Sequence, residues 1–142
     1  MKCLNTSIKR IIFCKLDDGE DLLDGINKIS NEYNIKSASF YGIGAVKKAV
    51  FGFYKDNKYI SNEKNQNLEV ISCIGNIAID KDTKKKIIHC HITCGDDKGN
   101  SFGGHVLTGC IISPTLELTI FEFEDQIFRK YNEKLNLTLL NL

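Results

Sequence analysis

The chain has 142 residues, 42% apolar and 26% charged, with 19 basic side chains against 18 acidic ones and a formal net charge of +1. That is the length of one domain, with enough apolar content for a real core. The even charge argues against intrinsic disorder and gives no global attraction to nucleic acid or membrane.

No apolar run approaches the ~20 residues a membrane-spanning helix needs. The Ile11-Ile12-Phe13 block near the start is too short for a signal-peptide core, so the chain is expected in the cytoplasm. Its six cysteines (Cys3, Cys14, Cys73, Cys90, Cys94 and Cys110) contain no Cys-x-x-Cys pair. They are expected as reduced thiols, mostly small apolar core residues.

In chain order, Ile8 to Leu16 reads as a strand. Leu22, Leu23, Ile26, Ile29 and Tyr33 then recur at helical spacing, which predicts a helix over Glu20–Tyr33. Asp18 and Asp21 are placed to cap it, and Glu20, Asp21 and Asp24 suit the positive end of its dipole. Strands are expected over Lys36 to Ile43, Val46 to Tyr54, Leu68 to Ile79, Ile87 to Cys94, Phe102 to Ile112 and Thr115 to Phe123. Turn clusters at 55–58, 80–85 and 95–100 separate several of them. In the tail, Leu135, Leu137 and Leu139 alternate as a strand would. One early helix followed by a run of strands predicts a single α+β domain: a largely antiparallel sheet with the helix packed on it through Leu22, Leu23, Ile26 and Ile29.

The chemistry concentrates in three histidines within seventeen residues: His89, His91 and His105. His89 and His91, two apart on a strand, leave one face about 6–7 Å apart along the backbone. His105 joins them only if the turn between the strands has odd length. A five-residue loop over 95–99 would set Cys94 opposite Asn100 and His89 opposite His105, and Gly103-Gly104 could host a bulge if the parity failed. Three imidazoles would hold a divalent ion, zinc by default, with a position left open. The same parity sends Cys90 and Cys94 to the other face and removes them as ligands. Without a metal, the histidines would be an ordinary exposed or hydrogen-bonded set.

Other motifs are less specific. Gly42-Ile43-Gly44 lacks the third glycine and the helix of a dinucleotide site, and reads as a turn or bulge. Lys47-Lys48 and Lys84-Lys85-Lys86 lack interleaved aromatics and read as solvated turns. Glu69 and Glu117, within apolar strands, either face solvent or serve the histidines as orienting partners or a general base.

A set of segments taken in order carries a family resemblance. They are Gly19-Glu20-Asp21-Leu22, Gly42-Ile43-Gly44-Ala45, Leu68-Glu69-Val70-Ile71-Ser72 with Gly75-Asn76-Ile77, His89-Cys90-His91, Gly103-Gly104-His105 with Gly109, and Thr115-Leu116-Glu117-Leu118. The chain resembles the PPC (plant and prokaryote conserved) domain of the stand-alone prokaryotic type, with a core over about 9–123 and a tail over 124–142. The resemblance implies an α+β fold, assembly as a homotrimer, a metal on the matching histidines, and a candidate DNA-binding or regulatory interaction module. Plant members carry an Arg-Gly-Arg-Pro type AT-hook. None is present here, so DNA binding by the chain alone is expected to be weak. The competing expectation is a metal-dependent hydrolase or lyase, in which the open position generates a nucleophilic hydroxide. Neither expectation names a small-molecule ligand.

Overall fold

In the computed structural model, which describes all 142 residues, Asp21 opens the single helix, α1 (Leu22–Glu32). Its Oδ1 accepts from Leu23 N (2.9 Å) and Asp24 N (3.2 Å), satisfying two of the free amides at the helix start. Asp18 pairs instead with Lys47. Leu22 and Ile26 are fully buried, while Leu23 and Ile29 pack partly buried against the core, so the expected face of the helix is the one that docks. Tyr33 is exposed and ends the helix rather than anchoring it.

Asp21 does a second job: its Oδ2 accepts from Gly109 N at 2.6 Å. The same loop exchanges Leu22 N to Cys110 O and Ile112 N to Glu20 O, each 2.9 Å. This loop breaks the expected Phe102–Ile112 strand in two. Gly109, at φ +110°, turns the chain there, a conformation side chains rarely adopt. Asp21→Ala should therefore cost about 2–3 kcal/mol, the loss of a cap plus a charge-assisted bond to the loop, read by urea unfolding.

The remaining elements form one nine-stranded sheet. They are β1 (Ile8–Asp17), β2 (Ala38–Lys55), β3 (Lys58–Lys64), β4 (Leu68–Asp80), β5 (Lys86–Gly95), β6 (Ser101–Val106), β7 (Ile111–Phe123), β8 (Phe128–Asn132) and β9 (Leu137–Leu140). Every pairing is antiparallel except a short parallel contact of β4 with β8. The expected largely antiparallel sheet is present, with the helix its minor companion.

The two strands expected over 36–54 are one long strand, β2. Its register against β4 slips between Gly42 and Gly44, which is the bulge expected at that motif. A Cβ on Gly44 would lie 2.3 Å from Thr115 O, so the glycine is required by close approach of β7. Bent in this way, β2 pairs with β4 and β7 along its first half and with β3 and β6 further on. Strands β2, β4, β5 and β6 consequently close a circuit. Asp56 and Asn57, both at positive φ, make the two-residue turn into β3. The core fills the inner side, and Cys73, Cys90, Cys94 and Cys110 lie within it. Burial pushes the Cys110 thiol up to about 11 and the Cys94 thiol up to about 12, so both stay protonated and inert.

Candidate metal centre

Strands β5 and β6 place the histidines. Gly95 extends β5 by one residue and pairs with Ser101, leaving a five-residue loop over 96–100. Asp96 closes it by accepting from Lys98 N (3.0 Å) and Asn100 N (2.8 Å). The loop is odd, as the site requires, but it is displaced by one position from the expected one. His105 therefore stands opposite His91, not His89. The pairing runs without a bulge. Gly103 and Gly104 instead permit close approach, since a Cβ on Gly103 would lie 2.0 Å from Ile92 O.

All three imidazoles emerge on one face. Their ring centroids are 5.1 Å apart for His89–His91, 5.1 Å for His89–His105 and 5.3 Å for His91–His105. Each offers a nitrogen, and these nitrogens lie within 4.8 Å of one another. His89 Nε2 and His91 Nε2 are 3.2 Å apart. Two ligands of one tetrahedral zinc lie about 3.3 Å apart, so this pair already has a chelating separation. The Nδ1 of His105 is buried without a partner. Cys90 and Cys94 point into the core, as expected from the alternation.

The surroundings favour the neutral form of His89 and His105. Burial first, then His89, His91 and Arg129, takes His105 from the ordinary 6.5 down to about 4. Burial followed by Arg129 and His91 lowers His89. Tyr59, on β3, stacks on His105 with centroids 4.6 Å apart and an 18° tilt.

Arg129 is the residue of this site that the sequence did not disclose. It lies on β8 and is 5% exposed. Its Nη1 donates to Thr138 O (2.8 Å), and its Nη2 donates to Asn76 Oδ1 (2.9 Å) and to His89 Nδ1 (3.1 Å). Burial pulls its guanidinium below the usual value. The β8–β9 hairpin that carries it is tied to the β2–β3 turn, where Asn136 Nδ2 donates to Asn57 O and Tyr54 Oη to Leu135 O. Two arginines among 19 basic residues was the one available signal, because arginine suits buried sites better than lysine.

The remaining candidates lie elsewhere. Glu69 and Glu117 are exposed and line a separate cavity with Ile43 and Thr115. Lys48 pairs with Glu63 and Lys47 with Asp18. Lys86 closes the end of α1, donating to Ser30 O and to Asn31 Oδ1 (2.8 Å). No helix is long and apolar enough to cross a membrane.

Fold and site together define a small antiparallel-sheet domain that gathers three imidazoles on neighbouring strands. The sequence profile of the Plants and Prokaryotes Conserved (PCC) domain matches residues 4–124, and the chain belongs to that family, the PPC domain of the resemblance above. Three solved structures are similar to it. The metal-containing protein from Archaeoglobus fulgidus has a TM-score of 0.89 at 28% identity, covering 100% of both chains. A PPC protein from Pyrococcus horikoshii has a TM-score of 0.86 at 26% identity, covering 100% of this chain and 98% of its own. A candidate DNA-binding protein from Ralstonia eutropha has a TM-score of 0.82 at 27% identity, covering 92% of this chain and 90% of its own. No functionally curated protein is a match.

Proposed function

We propose that the chain is a metal-binding, homotrimeric PPC-domain protein of the cytoplasm, with His89, His91 and His105 holding one divalent ion, zinc by default. The observation that carries the reading is the convergence of three nitrogen donors, two of them 3.2 Å apart, with no carboxylate or thiolate in the set. An ion held by three neutral histidines keeps a fourth position for water or a ligand. The Archaeoglobus relative, described as metal-containing, agrees with this.

The trimer is supported by an apolar outer face. Directly paired residues run in one row across the sheet, from Phe13 through Thr119, Tyr41 and Ile74 to His91 and His105. Phe13 is 81% exposed, and Tyr41 and Ile74 are 52% and 55% exposed. Exposed apolar side chains grouped in this way suit a binding surface, here for copies of the same chain.

The hydrolase or lyase alternative needs a general base beside the ion, and neither Glu69 nor Glu117 lines the histidine cavity. A DNA-binding role, the one carried by the Ralstonia relative's description, has only the dispersed Lys47, Lys48 and Lys84–Lys86 to draw on, and binding by the chain alone is expected to be weak. Metal analysis of the purified full chain tests the main reading, together with its mass in solution. One equivalent of divalent ion per chain is expected. Failure to take up zinc, nickel or cobalt at neutral pH would overturn it.

A further inference from the structure

The cavity beside the histidines holds a charge imbalance. It encloses about 250 Å³ between Tyr59, Ile87, His89, His105, Arg129 and Leu139, among others. Arg129 is almost fully buried, yet it takes part in none of the chain's ion pairs. Its Nε is buried with no acceptor at all. A buried cation without a counter-charge is costly, and buried charges in proteins are paired or bind something.

Its contact with His89 sharpens the point. A guanidinium can only donate, so His89 Nδ1 accepts and the ring proton resides on Nε2. A ligating histidine usually donates its second nitrogen to a carboxylate or carbonyl. Here an arginine stands in that place. When Nε2 turns to a metal, the proton moves to Nδ1, and Arg129 Nη2 keeps only Asn76 Oδ1 as an acceptor. The loaded site would then hold a dication and a guanidinium around three neutral rings, with no acid at ion-pair distance from Arg129 to balance them.

We propose that Arg129 and the adjoining cavity form an anion subsite, and that its ligand is a short aliphatic carboxylate. Its carboxylate would be held beside the histidines by the Arg129 guanidinium, whose planar fork of donors matches a carboxylate's two oxygens. Its aliphatic part lies against Ile87, Leu137 and Leu139, which favours a carboxylate with a tail over inorganic phosphate. Arg129 lies beyond the residues matched to the family profile, so this subsite is a reading of this chain's tail. It builds on the metal reading but is testable apart from it.

The test uses the full chain loaded with cobalt(II), titrated with acetate, butyrate and inorganic phosphate and followed by calorimetry and by the visible cobalt bands. Butyrate should change the cobalt bands and bind about tenfold more tightly than acetate, because two more methylenes are buried, with phosphate weaker than butyrate. Arg129→Gln should weaken butyrate by at least about tenfold while cobalt still binds. Leu139→Trp, which narrows the cavity and keeps the Arg129 side chain, should weaken butyrate but spare acetate, and it keeps the test decisive if Arg129→Gln does not fold. Absence of butyrate binding at millimolar concentration would overturn the proposal, as would binding indifferent to both substitutions. If the chain takes up no metal, the same titrations on the metal-free protein decide. Binding of butyrate that depends on Arg129 then keeps the anion subsite while the metal reading falls, and its absence removes both.

Discussion

His91→Ala should abolish metal uptake while leaving the fold intact. The His91 ring is exposed and lies against its fellow histidines on the outer face, so alanine leaves no hole in the core. Outer partners of metal ligands are worth 10–100-fold in affinity, so loss of a ligand should cost more than about a hundredfold. In the wild type, a metal at a hundred times its dissociation constant should add about 2.7 kcal/mol, or roughly 5–10 °C in melting temperature for a chain of this size. That increment should vanish in the variant.

The pH dependence follows from the two lowered rings. A ligating imidazole must be neutral, and His105 at about 4 and His89 below its usual 6.5 resist protonation. Uptake should therefore persist to lower pH than three ordinary histidines would allow. The metal-free fold bears the opposite cost. Both rings bind protons less readily folded than unfolded, so stability is fully present above pH 6.5 and is lost as pH falls toward about 4. For His105 the loss should reach about 2 kcal/mol once solvent screening is allowed for. His105→Phe keeps a ring against Tyr59 and removes the titration. Urea unfolding of the metal-free variant should be flatter across that range.

What the sequence could disclose was periodic or local. The alternation that put His89 and His91 on one face and Cys90 and Cys94 on the other needs only the two-residue repeat of a strand. The helix face needed only the 3.6-residue repeat. The parity of the β5–β6 turn was legible, but its exact position was not. Whether Gly95 ends the strand or begins the loop depends on Asp96 capturing the amides of Lys98 and Asn100, and both placements satisfy the same parity. The site was therefore readable even though the partner of His105 was not. β3 escaped notice because Lys58–Lys64 is exposed throughout and carries no apolar alternation, its turn being the only local signal. Arg129 could not be placed, because a five-residue strand reaches the site through a short parallel pairing with a strand about fifty residues earlier. Such long-range pairings leave no periodic trace.

Phe13→Asp combined with Ile74→Asp should convert the proposed trimer to a monomer of 16.0 kDa. Neither side chain supports the isolated fold: Phe13 is 81% and Ile74 is 55% exposed, on strands whose opposite faces carry the core. In an assembly each would be buried, and burial of one large apolar side chain is worth about 1.5–3 kcal/mol. An aspartate in its place also brings a charge that the interface must desolvate without a partner. A closed ring of three repeats the loss at every interface, so one pair of substitutions weakens the whole trimer by roughly 10 kcal/mol or more. Ile74 is paired directly with His91, which puts the apolar row against the edge of the histidine site. Light scattering at micromolar concentration should give three times the chain mass for the wild type and one chain mass for the double variant, with the circular dichroism of the two superimposable. A wild-type chain that is already monomeric would overturn the trimer, and a double variant that stays trimeric would place the assembly surface elsewhere.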